Sequence, residues 1–284
     1  MARERTCVIT GATSGIGLET ARLFADRGAF VIGVGRDPQR CASAAAAIRD
    51  STGSRNVAFL TADLSSQAAI RELAKEIARL VEIVDVLVNN AGTFTFRRAV
   101  SRDGIELQFA VNYLATFLLT GLLMPLLAAA PSARVVTVSS GSHYSGRINW
   151  KDVMLARGYN GLRAYSQSKL ATVLFTAELA RRLGPDAGIS TCAVDPGLVR
   201  TEIGLKGGGW FVRFAWRIRS RRGIEAEQAA SSVVFCADGR DTGIRSGRYW
   251  KDCSEKSPAR AAQSATDASR LWELSERLCG LRYP

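Results

Sequence analysis

Tyr165 and Lys169 stand four residues apart in AYSQSKLATVLF, a stretch with apolar positions at three- and four-residue steps. On a helix that spacing puts both side chains on one face, an ammonium beside a phenol. A neighbouring positive charge favours phenolate, so the pair is expected to bring the tyrosine down from about 10 toward the range where it exchanges a proton with a hydroxyl oxygen. Such pairs are often only surface neighbours, and this one takes its meaning from what surrounds it. His143 is the sole histidine, which excludes a multi-histidine metal site. It reads as a polar loop residue at the site edge. Cys7, Cys41, Cys192, Cys236, Cys253 and Cys279 show no CxxC spacing and no Cys/His cluster; they read as reduced thiols, mostly in the core, with no metal site.

A second chemical signal is TGATSGIG, Thr10 to Gly17, between a β-branched run and a helical pattern. Gly11 permits the tight turn, Gly15 lets backbone N–H groups approach a pyrophosphate, and Gly17 lets helix and strand pack closely. Thr13, Ser14 and Ile16 complete the cradle. A glycine cluster alone is weak, but its place after the first strand makes it a dinucleotide loop. The spacing is GxxxGxG rather than the common GxGxxG. The next strand-like run ends VIGVGRD, with Gly35 and Arg36 where dinucleotide folds that select NAD carry an acidic residue for the ribose hydroxyls. Gly35 removes the repulsive carboxylate and Arg36 offers a planar, permanently charged fork to a 2′-phosphate, so NADP(H) is the expected cofactor. Asp37, 20 residues after Gly17, is the competing signal for the ribose of NAD.

These residues need elements to position them. Strand-like runs recur at Cys7 to Thr10, Phe30 to Val34, Val57 to Leu60, Val84 to Val88, Arg134 to Val138, Ser190 to Val194 and Gly247 to Trp250, with helical patterns at Ile16 to Arg27, Gln67 to Leu80, Gly104 to Ala130, Leu162 to Leu183, Glu225 to Ala237 and Thr266 to Leu278. The alternation predicts an α/β fold, a doubly wound seven-stranded parallel sheet with helices on both faces. The 284 residues read as one domain without a linker, and 47% hydrophobic against 23% charged residues excludes disordered, collagen-like and coiled-coil classes. Phe109 to Ala130 is 22 residues without a charge, but Asn112, Tyr113, Thr116, Thr120 and Pro125 make it a buried core helix rather than a span. No signal peptide precedes the first apolar run, so a cytoplasmic chain is expected.

In this order the motifs resemble the single-domain short-chain dehydrogenases/reductases, whose members carry TGxxxGxG, NNAG, an Asn, a Ser and YxxxK. Here they stand as TGATSGIG, Asn89-Asn90-Ala91-Gly92, Asn112 in AVNYLA, Ser140 in VTVSSGS, and Tyr165 to Lys169. The likeness extends to the retinol dehydrogenase-like branch through SSGSHYSGRINW, AYSQSKLATVLFTAELARRL and SGRYWKDC. The resemblance implies catalytic Asn112, Ser140, Tyr165 and Lys169, with Ser139 as the competing serine. Tyr165 would be the general acid/base, Ser140 would hydrogen-bond the substrate oxygen, and Asn112 would kink its helix and hold a water with Lys169. It further implies that Asp63 and Leu64 flank the adenine, that Asn90, Ala91 and Gly92 line the cofactor beside Tyr165 and Lys169, and that Pro196 and Gly197 lead to Val199 and Thr201 on the nicotinamide amide. Tyr165 follows Ser140 by 25 positions, longer than in many members, and the extra residues resemble the branch's insertion at the substrate mouth. The helices starting near Phe109 and Leu162 resemble those that pair between family subunits, which would make a homo-oligomer.

Between Thr201 and Gly223, EIGLKGGGWFVRFAWRIRSRR carries Lys206, Arg213, Arg217, Arg219, Arg221 and Arg222 beside Trp210, Phe211, Phe214 and Trp216. In this position, about 202–223, the family has its substrate lid; aromatic bulk there points to a large apolar substrate, with Gly207 to Gly209 as hinge. The basic-aromatic mixture also suits peripheral contact with an anionic membrane surface. The expected activity is interconversion of a hydrophobic alcohol, retinoid-like or steroid-like, with its aldehyde or ketone. The alternatives are an NAD-dependent alcohol dehydrogenase and a non-catalytic nucleotide sensor, which would be expected to lose Tyr165 or Lys169. A formal charge of +12 raises nucleic acid as a partner, but the cations are dispersed and no reading element is recognisable, so none is expected.

Overall fold

Along each central strand, successive side chains enter opposite apolar layers, and this double burial fixes the register of the sheet. In β1 (Thr6–Thr10), Cys7 and Ile9 join one core while Val8 joins the other. The computed structural model describes residues 3–197, 226–238 and 245–283. Within them the sheet is ordered β3-β2-β1-β4-β5-β6-β7-β8, with β2 (Phe30–Gly35), β3 (Val57–Thr61), β4 (Val86–Asn89), β5 (Ala133–Val138), β6 (Ile189–Asp195), β7 (Arg248–Lys251) and β8 (Ser254–Lys256). Strands β1 to β7 are parallel. The expectation of seven parallel strands therefore needs one correction, because β8 adds an antiparallel edge to β7. The hairpin turns on Asp252 and Cys253, both at positive φ, an Asp-Cys pair that lacks the glycine of the usual two-residue turn.

One layer holds α1 (Gly15–Asp26), α2 (Pro38–Thr52) and α8 (Ala226–Asp238). The other holds α3 (Gln67–Leu80), a broken helical run, α7 (Gly161–Leu183) and α9 (Ala265–Cys279). Helix α2 was not expected: its buried stripe is Cys41, Ala44, Ala45 and Ile48, mostly alanine, which gives little hydrophobic contrast. The single helix expected over Gly104 to Ala130 is instead α4 (Leu107–Phe109), a π-helical turn at Ala110–Leu114, α5 (Ala115–Leu122) and α6 (Met124–Ala128). The Ala115 N–H reaches back five residues to the Ala110 carbonyl, one residue wider than an α-turn, and Pro125 starts the next segment.

No described helix is long and apolar enough to cross a membrane. The face of α5 is covered within the chain. Trp272 of α9 meets Phe117 at 5.0 Å and stacks on Phe175 of α7 at 5.8 Å, and the Tyr283 hydroxyl donates to the Phe117 carbonyl. The C-terminal helix and tail of the chain thus pack on this part of α5.

Strand order reverses between β1 and β4, and the carboxyl ends of those strands open the crevice in which such sheets bind ligands. The Thr10 hydroxyl ties them together, accepting from Asn90 and Ala91 N–H at 3.0 Å each.

Candidate active site

The dinucleotide loop is built for close approach. Gly11 has φ +68°, and a Cβ on Gly17 would stand 2.4 Å from both the Gly11 carbonyl oxygen and the Asn90 amide nitrogen, so nothing larger than glycine fits. Gly15 also has positive φ. The Ser14 side chain makes no cap bond and the first turn of α1 carries no acidic residue. Its N–H groups are therefore available to a pyrophosphate. The Asn90 Nδ2 donates to the carbonyls of Thr10 at 2.8 Å and Gly11 at 3.3 Å, holding the loop from behind. Thr13 supports the loop on its other side, packing its methyl over Gly35. Asp63 accepts from the Ser65 N–H and hydroxyl just after β3, and Leu64 packs at the edge of one core.

At the end of β2 the structure separates the two candidate cofactor selectors. A Cβ on Gly35 would meet Thr13 Cγ2 at 2.4 Å and Cys41 Sγ at 2.6 Å, so a ribose-binding carboxylate has no room there. Asp37 caps α2, its Oδ1 accepting from Gln39 N–H at 2.8 Å and Arg40 N–H at 3.1 Å. Arg36 is exposed, and among the described residues no carboxylate pairs with it. The loop and the strand end thus fit a phosphate-bearing dinucleotide.

The residues expected to transfer the proton come from three elements. Lys169 of α7 is buried and its Nζ donates to the Val138 carbonyl at the end of β5, at 2.9 Å. It also stands 5.8 Å from the centre of the Tyr165 ring. The Tyr165 phenol lies near enough to the Ser140 hydroxyl to be stabilised by it. Ser139, the competing position, points the other way, its hydroxyl donating to the Lys169 carbonyl at 3.0 Å and accepting from Thr172. Asn112 sits inside the π-helical turn. Its Oδ1 accepts from Thr93 N–H at 2.7 Å, while Nδ2 donates to the Thr93 carbonyl at 3.0 Å and Ser168 Oγ at 2.9 Å. The carboxamide thereby ties the loop after NNAG to α7. Gly92 lies between them, its missing Cβ 3.5 Å from Asn112 Oδ1 and 3.8 Å from Lys169 Nζ.

Electrostatics correct one expectation. Burial pushes the Tyr165 phenol up to about 12; the nearby Ser140 hydroxyl opposes the rise and the Asp195 carboxylate adds to it. The ammonium does not bring the phenol down in the cofactor-free chain, because burial also depresses Lys169 from 10.5 to about 8, with Asp195 acting against that fall. Nothing in the sequence had singled out Asp195. It is buried at the end of β6, accepting from the Tyr249 hydroxyl and Gly197 N–H at 3.0 Å each. The Asp-Pro-Gly run that carries it reads as a turn, so its burial was invisible. Gly197, at φ +78°, follows Pro196 out of β6. Val199, Thr201 and the lid residues 202–223 lie outside the described residues.

His143, read from the sequence as a polar loop residue at the site edge, lies in a 3-10 turn and is fully buried, with Nδ1 2.8 Å from the Ser140 carbonyl and Nε2 3.1 Å from Ala259 N–H. The insertion between Ser140 and Tyr165 is fastened from both sides: Gln167 of α7 bonds Asn149 N–H and the Val153 carbonyl, and the Tyr159 hydroxyl bonds Gln108 and Glu106. Near the phenol the wall is apolar, with Phe94 edge-on to Tyr165 at 5.7 Å and Phe96 edge-on to Phe94 at 4.5 Å.

Known proteins place this geometry. The family described as short chain dehydrogenase matches residues 5–206. Retinol dehydrogenase 13 of Homo sapiens is 39% identical over 289 residues, covering 99% of this chain and 86% of that protein. Polyprenol dehydrogenase of Mus musculus is 37% identical, covering 97% and 84%. Among solved structures, an uncharacterized protein from Mycobacterium paratuberculosis superposes with a TM-score of 0.79 at 34% identity, covering 99% of this chain and 95% of that one.

Burying the Lys169 charge has a consequence for stability. Its value of about 8 lies below the ordinary 10.5. Below pH 8 the folded and unfolded chains both carry the charge, and the fold bears the cost of desolvating it; between the two values the folded chain loses the proton first and the cost fades. Lys169→Met keeps the stem and drops the charge. We expect it to gain about 2 kcal/mol of stability at neutral pH, to lose that advantage as pH approaches 10.5, and to lose activity. Urea unfolding at neutral and alkaline pH checks this, and a variant less stable than wild type at neutral pH contradicts it.

Proposed function

Because the chain belongs to the short chain dehydrogenase family, whose members are oxidoreductases with a nicotinamide cofactor, we propose that it uses NADP(H) to interconvert a hydrophobic alcohol with its aldehyde or ketone. The observation that carries this reading is the meeting of Ser140, Tyr165 and Lys169 beside the dinucleotide loop. Bound NADPH supplies the hydride to a carbonyl carbon, and NADP+ accepts it in reverse. The chain does the rest. The Ser140 hydroxyl and the Tyr165 phenol face the substrate oxygen together, the phenol gives that oxygen its proton during reduction and takes it back during oxidation, and Ser140 stabilises the charge that develops there.

NADP(H) is favoured over NAD(H) by three neighbours: Gly35 has no space for a carboxylate, Asp37 is engaged as the cap of α2, and Arg36 is exposed for a 2′-phosphate. An apolar substrate is favoured by Phe94 and Phe96 beside the phenol, and the retinol and polyprenol in the relatives' names are apolar alcohols.

Tyr165→Phe keeps the ring and removes the proton. It should bind NADPH nearly as well as wild type and lose activity by about 10² or more, the scale of general acid/base catalysis. Steady-state turnover of an alkyl aldehyde, paired with NADPH binding followed by fluorescence, reads both, and near-normal turnover rules the role out.

Arg36→Ala should weaken NADPH and leave NADH nearly unchanged, because only NADPH carries the group that Arg36 meets. A charge-assisted hydrogen bond contributes about 1.5 to 3 kcal/mol, so the NADPH to NADH ratio of kcat/KM should fall by roughly 10-fold to 150-fold. An unchanged ratio at fixed ionic strength refutes the assignment.

A further inference from the structure

Among the buried titratable side chains that the proposed chemistry leaves unused, His143 touches the backbone of a proposed catalytic residue. The His143 ring lies in the 3-10 turn Gly141–Ser145, which Ser140 caps by accepting from Ser142 N–H at 3.2 Å. Ala259 N–H can only donate, so His143 Nε2 must accept from it at 3.1 Å and carry no proton. The ring proton is therefore on Nδ1, where it donates to the Ser140 carbonyl at 2.8 Å. The same carbonyl accepts the His143 backbone N–H at 3.0 Å. The ring is clamped between Tyr144 at 4.1 Å and Tyr249 of β7 at 4.6 Å.

We propose that His143 is a positioning residue for the Ser140 hydroxyl and that it does this only as the neutral ring protonated on Nδ1. A second proton, on Nε2, would set one donor against another at Ala259 and break the bond that anchors the turn to the segment before Arg260. Ser140 caps that same turn, so its hydroxyl would move relative to the Tyr165 phenol. Burial lowers His143 below its ordinary 6.5, and the Asp195 carboxylate, held by Tyr249, pulls the other way. Lys251 of β7 stands 3.9 Å from that carboxylate, and the cation and phenol of α7, Lys169 and Tyr165, share its field. The neutral ring is thus the resting form at physiological pH, and activity should fall as pH drops through the His143 midpoint.

The proposal rests on the functional reading above, and the sole histidine of the chain separates the two. NMR of the imidazole nitrogens in the whole cofactor-free protein should give a single titration with a midpoint below 6.5 and the Nδ1–H tautomer above it, with the Ser142 amide moving on the same curve. With NADPH and an alkyl aldehyde, kcat should fall on the acid side with that midpoint while KM for NADPH barely changes. His143→Asn keeps a donor for the Ser140 carbonyl and cannot titrate; it should lose only about 3-fold in kcat and abolish the acid limb. His143→Phe keeps the ring between the two tyrosines and makes neither bond; it should lose about 30-fold or more, within the range that small misplacements cost. A packing role predicts the reverse order. The Nε2–H tautomer, a Ser142 amide indifferent to ring protonation, an acid limb that survives in His143→Asn, or Phe outperforming Asn each overturns the proposal. If wild type shows no aldehyde-dependent oxidation of NADPH, the functional reading fails, and the tautomer and the Ser142 amide still decide the role of His143.

Discussion

A cation with almost no water around it, the Lys169 ammonium, hydrogen-bonds the Val138 carbonyl at the end of β5, and the rest of the site is arranged to hold it there. A buried ammonium is costly unless its protons are satisfied, so α7 must lie at one height and rotation against the sheet. Ser139 fixes the height through the Lys169 carbonyl, and Asn112 fixes the rotation through Ser168. The wide turn at Ala110–Leu114 brings the Asn112 carboxamide to Thr93 and to α7 at once. With α7 set this way, Tyr165, one turn earlier, faces Ser140.

The same logic explains why the cofactor crevice and the proton-transfer group are adjacent. Asn90 supports the dinucleotide loop from the end of β4, and Gly92, two residues on, passes beside Asn112 and Lys169. One short segment therefore connects the phosphate cradle to the ammonium. Across the cleft, Asp195 ends β6 and places a buried carboxylate whose field reaches Lys169, Tyr165 and His143 alike.

Much of this was legible because its signals are local. The β-branched runs marked β1 to β7, the four-residue spacing placed Tyr165 and Lys169 on one helix face, and the glycines matched a turn and a close contact that only glycine allows. What the sequence hid depends on long-range partners or on weak contrast. Helix α2 has an alanine stripe, β8 is the three polar residues Ser254 to Lys256, and the hairpin before it turns on an Asp-Cys pair. His143 read as a loop residue because its deciding partner, Ala259, lies 116 positions away. The tyrosine shift was misjudged for a related reason. Spacing shows that a positive charge is near, whereas burial, the larger effect here, is a property of the assembled layers.

The most direct test follows the hydride itself. NADPH carrying deuterium in both C4 positions of the nicotinamide, incubated with the protein and a long-chain aldehyde, should yield an alcohol with deuterium on its carbinol carbon in step with NADPH oxidation, as read by mass spectrometry. Unlabelled NADPH in deuterated water should leave that carbon unlabelled, since the solvent-derived proton goes to oxygen. Oxidation of NADPH with no deuterium on carbon, or label entering carbon from water, would contradict hydride transfer at this site.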